Sequence, residues 1–139
     1  MKRRLFALAL ALLLAVSLPV SALAEEWFID GGDIIINATA DGKQTVKQGN
    51  NGAVEDAAPV IKQKDSSKST DRVIKVIAEE DATANVTLDG VNIDTSKAGM
   101  TGRDQAALRT EGDGDVNIEL DGDNYLKSSF ASHAAGLNK

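Results

Sequence analysis

The sequence has no cysteine, two prolines, one histidine and, among 139 residues, only five aromatic rings. Without cysteine there is no disulfide, thiolate ligand or sulfur nucleophile, so packing and backbone ladders must carry stability. The lone His133 leaves a histidine-rich zinc site or a His-based triad little to draw on. Beyond residue 24 no stretch of useful length keeps the 3.6-residue apolar period of an amphipathic helix. What remains is short runs of β-branched residues broken by Gly, Asp and Asn, which is the pattern of an all-β chain.

The one long apolar run lies at the start. Lys2, Arg3 and Arg4 precede a nearly continuous apolar stretch from Leu5 to Leu18, and Ser21-Ala22-Leu23-Ala24 supplies small residues for a peptidase. Residues 1–24 therefore read as a signal peptide cleaved after Ala24, shorter than a membrane span needs and ending in an Ala-x-Ala exit. The expected destination is secretion or the cell surface, with membrane contact only through the cleaved segment. Cleavage removes three of the 15 basic residues and none of the 21 acidic ones, leaving a formal charge of −9 on residues 25–139. Such a surface repels phosphate backbones, so nucleic acid is a poor partner.

A near-repeat organises the rest of the chain. Asn85-Val86-Thr87-Leu88-Asp89-Gly90-Val91-Asn92 returns as Asn117-Ile118-Glu119-Leu120-Asp121-Gly122-Asp123-Asn124. Each copy alternates apolar and polar residues, the period of a strand with one buried face. Asp-Gly then makes a turn. Repetition at this spacing predicts one coil stacked on another, with Leu88 over Leu120 and Val86 over Ile118 as internal aliphatic stacks. It also predicts a ladder between Asn92 and Asn124. Further strands are expected at Ile34–Asn37, Pro59–Lys62, Val73–Ile77, Val91–Ile93 and Asn124–Leu126. Trp27 and Phe28 are expected to cover the open end of the core. Residues 43–72 read either as a loop-rich coil or as a projecting insertion.

The phrases Ala106-Ala107-Leu108-Arg109, Gly112-Asp113-Gly114-Asp115-Val116-Asn117-Ile118-Glu119-Leu120-Asp121-Gly122, Val86-Thr87-Leu88-Asp89-Gly90-Val91-Asn92-Ile93 and His133-Ala134-Ala135-Gly136-Leu137 carry a resemblance. Together they resemble exported carbohydrate-binding proteins of Gram-positive anaerobes in the pectin-lyase-like superfamily. That resemblance implies a right-handed parallel β-helix of about three to four coils over residues 25–139, incomplete at its C-terminal end. It implies non-catalytic attachment to polysaccharide outside the cell. A structural or adhesive module contacting protein, and the first part of a polysaccharide lyase or hydrolase, are the alternatives. Of these, a non-enzymatic role is favoured.

The chain offers two sets of candidate site residues. Asp113, Asp115, Asp121 and Asp123 could supply oxygens to calcium, which takes six to eight such ligands. The EF-hand pattern fails, since Ile118 stands where that loop needs Gly, and the same acids also suit simple Asp-Gly turns. Tyr125 and Phe130 flank a turn and could offer rings to a sugar, or could pack inside. No catalytic residue stands out, because no paired carboxylates or basic motif of a glycosidase or lyase can be placed.

Overall fold

A computed structural model describes residues 24–96, 106–128 and the backbone of 137–138. It is all-β, and the described residues contain twelve strands and a single three-residue 3-10 turn. The strands are β1 (Glu26–Phe28), β2 (Ile34–Ala38), β3 (Gln44–Gln48), β4 (Val54–Glu55), β5 (Val60–Lys62) and β6 (Ile74–Ala78). After these come β7 (Thr83–Asp89), β8 (Asn92–Asp94), β9 (Leu108–Glu111), β10 (Asp115–Asp121), β11 (Tyr125–Lys127) and β12 (Leu137–Asn138). Three sheets form, ordered β1-β5-β7-β10, β11-β8 and β12-β9-β6-β2-β3-β4. Every pairing is parallel except β2 with β3 and β3 with β4.

Parallel pairing in register places like on like. Ile34, Ile74 and Leu108 are successive partners, as are Ile36, Val76 and Thr110. In the first sheet the series is Trp27, Ile61, Leu88 and Leu120. Ile61 and Leu88 are fully buried, and alternation along β2, β6 and β7 turns every second side chain inward. Burying side chains of this size stabilises by about 2–3 kcal/mol each. The series fades at its last member: Leu120 is 63% exposed. Its expected internal position is therefore corrected, although its register with Leu88 is as expected. Among the described residues β10 has a strand neighbour on one side only, so no further strand there covers that leucine.

The asparagine ladder is also corrected. Asn92 pairs with Tyr125, not Asn124, because the turn after Asp121 holds one residue more than the turn after Asp89. The extra Asn124 folds back instead: its amide donates to the Leu88 and Asp121 carbonyls at 3.1 and 2.8 Å and accepts from the Val91 N–H at 3.0 Å. The amides that do pair are Asn117 and Asn85, at 3.0 Å on the outer face of the first sheet.

Residues 43–55 are neither coil nor loose insertion. β3 and β4 add antiparallel strands to the edge of β2, where Val46 joins the buried core opposite Ile36. This edge gains cover from β1 as well. Trp27 packs against the core, and its indole N–H donates 2.8 Å to Asp56, which is almost wholly buried and also accepts from the Glu25 and Ala58 N–H groups.

One side chain repairs a gap in a sheet. β5 is only three residues long and pairs with Thr87–Asp89, leaving Asn85 without a strand on that side. The buried Gln44 amide donates to the Asn85 carbonyl at 3.0 Å and accepts the Asn85 N–H at 2.8 Å. A primary amide offers the same donor and acceptor as a peptide group, so it stands in for the missing strand.

Candidate functional site

Between β5 and β6 the chain crosses back over eleven residues, 63–73, and polar side chains of this crossing line a cleft. Gln63 anchors the crossing. Its oxygen accepts the Asn92 N–H at 2.7 Å, while its nitrogen donates to the Lys68 carbonyl at 2.7 Å. Thr70 then behaves as a one-residue strand, bridging Ile93 through Thr70 N–H to Asn92 O and Asp94 N–H to Thr70 O, both 2.9 Å. These anchors fix the floor. The cleft encloses about 670 Å³ and is walled by Asp30, Asp65, Lys68, Ser69, Asp71, Arg72 and Asp94.

Most of these groups are already engaged. Asp30 accepts the Lys64 N–H at 2.9 Å. The Ser67 hydroxyl beside Asp65, with Lys68 at 3.2 Å, holds that carboxyl below its usual range. Asp94 is likewise lowered, first by its bond to Ser96 and then by Lys127 at 3.3 Å. Both stay ionised at neutral pH and accept hydrogen bonds only. Arg72, half-buried, makes no ion pair among the described residues, so its guanidinium can donate to a ligand. Hydroxyls on Ser69 and Thr70 can do either. This lining favours a ligand rich in hydroxyl groups over an apolar one, since pockets for apolar ligands are walled mainly by hydrophobic side chains.

The candidate calcium residues do not converge. Asp113 and Asp115 lie at the start of β10, beside Glu80 and Asp81, around a depression of about 470 Å³. Asp121 and Asp123 lie at the opposite end of that seven-residue strand, about 20 Å away at the rise of a β-strand. Among the described residues no group of three or more carboxylates or histidines is arranged to hold a metal ion. The Gly-Asp-Gly phrase instead answers a steric demand. A Cβ on Gly112 would lie 2.0 Å from the Ala78 carbonyl, and one on Gly114 would lie 2.2 Å from that of Glu79. Only glycine lets the two turns approach, and Gly114 N–H and Asp115 N–H then bond Ala78 and Ala82 at 3.1 and 2.9 Å.

Tyr125 is 53% exposed on β11, so its ring is not part of the core. Phe130 and His133 lie outside the described residues, as do residues 1–23. A smaller depression of about 280 Å³ lies beside the Asn85–Asn117 pair, with Thr87, Glu119, Ala57 and Ala58 on its walls. The cleft was not legible in the sequence because seven of its nine lining residues fall in the motif-poor crossing 63–72, and the other two, Asp30 and Asp94, come from distant parts of the chain. The only local signal was Thr70-Asp71-Arg72, a polar triplet set against the β-branched run after it.

Compared with protein-family models, with curated proteins and with solved structures, the chain matches none.

Proposed function

We propose that this chain is an exported right-handed parallel β-helix that binds polysaccharide, without catalysis, at the bacterial cell exterior. Two observations support the architecture. The chain visits the three sheets in one cyclic order twice, as β6-β7-β8 and then β9-β10-β11, and all pairings between those passes are parallel. A right-handed crossover is the usual hand for such connections. Export is supported by the basic start, apolar run and small-residue exit of residues 1–24.

The cleft carries the ligand assignment. Asp30 and Asp71 offer acceptors, Arg72 offers donors, and Ser69 and Thr70 add hydroxyls that match a sugar's own. Polysaccharide pull-downs and a glycan array, run with and without calcium, test the reading. Retention on at least one polymer, weakened by Asp71→Ala and by Arg72→Ala, is the expected result. No retention on any polymer would refute it.

A second reading has its own observation. Leu120 and Tyr125 are large side chains more than half exposed, on strands that end two of the sheets among the described residues, and such side chains can contact protein. Retention on a protein surface that is indifferent to added glycan and lost in Leu120→Lys would favour it.

A further inference from the structure

Six Asx-Gly pairs occur in the sequence, and five begin with Asp. The sixth, Asn51-Gly52, lies in the exposed turn that joins β3 to β4. We propose that Asn51 is a site of spontaneous deamidation that ages the β3–β4 end cover of the fold. In this reaction the Gly52 amide nitrogen attacks Cγ of Asn51. An N–Cγ bond forms, the bond from Cγ to Nδ2 breaks, and ammonia leaves with the proton that the attacking nitrogen gives up. Water then opens the resulting five-membered imide at either carbonyl, giving aspartate or isoaspartate. No oxidant or cofactor is needed.

Local geometry singles this pair out. The attacking nitrogen must be free of hydrogen bonds and have room to close on the side chain, a matter of proximity. A Cβ built on Gly52 meets nothing within 4 Å, and no hydrogen bond engages the Gly52 N–H or the Asn51 side chain among the described residues. Asn51 itself is steadied by its own N–H on the Gln48 carbonyl at 3.0 Å. The Asp-Gly pairs are restrained. Gly42, Gly90 and Gly114 commit their N–H groups to Thr39, Asp121 and Ala78. Beside Gly31 and Gly122 the space is crowded: an added Cβ would meet the Gln48 side chain at 3.1 Å and the Asp89 carboxylate at 3.2 Å.

The location gives the reaction a consequence. Either product adds a carboxylate, and isoaspartate also adds a methylene to the backbone between two strands paired at only two positions. Directly after β4 comes Asp56, which holds the Trp27 indole.

The test is a time course of the intact protein in warm, mildly alkaline buffer, read by peptide mapping with isoaspartate detection. The amide of Asn51 should be lost, with isoaspartate in excess, before that of any other asparagine. Gly52→Ala should slow the loss, and Asn51→Gln should abolish it at this position. Retention of the Asn51 amide, or loss no faster than at Asn50 or Asn37, overturns the proposal.

Discussion

Replacing Gln44 by Met keeps the length of a side chain that is only 6% exposed and removes its amide. Three partners are then lost at once: the Asn85 N–H at 2.8 Å, the Asn85 carbonyl at 3.0 Å and the Asp56 carbonyl at 2.9 Å. An unsatisfied buried polar group costs about 1–3 kcal/mol. Asn85 lies on a partly open strand where water can replace some of the loss, so we take about 2–4 kcal/mol for the set. For a domain of this size that lowers the midpoint of thermal unfolding by roughly 3–6 °C per kcal/mol. Gln44→Glu should be worse, because it keeps the acceptor for the Asn85 N–H but turns a carboxylate toward two carbonyl oxygens. Urea unfolding followed by circular dichroism measures both. A cost below about 0.5 kcal/mol for Gln44→Met, within the range of an ordinary surface change, would refute the idea that this amide replaces a strand.

Three further perturbations separate the parts of the fold. Leu88→Ala should cost about 2–5 kcal/mol, the range for emptying a buried site, whereas Leu120→Ala should cost far less because that side chain is 63% exposed; equal costs in denaturant titrations would contradict the burial. Gly112→Ala should abolish or sharply weaken folding, since its Cβ would lie 2.0 Å from the Ala78 carbonyl at a φ of 90°; an unchanged melting curve would show that the turns can separate freely. Lys75, at 2.7 Å, holds the Glu111 carboxyl below its usual range, with Arg109 adding to the effect. The folded value being depressed, this contact contributes above the ordinary glutamate value of about 4.3 and is lost as pH falls through the folded one. The Glu111 titration midpoint, followed by NMR, should therefore rise in Lys75→Ala, and no movement would remove Lys75 as the cause.

Strands that carry a period of two were legible in the sequence to within a residue or two at their ends. β7 and β10 announce themselves through Val86-Thr87-Leu88 and Ile118-Glu119-Leu120, and a parallel register agrees with the 32-residue shift. The same arithmetic carried past the turn failed, because one added residue in Asp121–Tyr125 moves Asn124 out of line with Asn92. Burial of Leu120 was not legible either. Alternation reports which face a side chain takes, not whether another strand comes next to cover it. The β3–β4 hairpin went unread because Gln44-Thr45-Val46-Lys47-Gln48 presents only one strongly apolar residue, and its strand state depends on pairing with β2. The candidate cleft brings Asp30 and Asp94 beside the 63–72 crossing, a convergence that no local pattern announces.

Cysteine chemistry offers a direct check, since the natural chain has no thiol to interfere. In-register parallel stacking sets Thr87 against Glu119 and Thr83 against Asp115. Thr87→Cys with Glu119→Cys should therefore close a disulfide within one chain under mild oxidation, at the neighbouring-strand distance such a bond tolerates. Thr83→Cys with Asp121→Cys should remain reduced. Closure of the second pair and not the first would mean that the two segments run in opposite directions, and the stacked arrangement would be wrong.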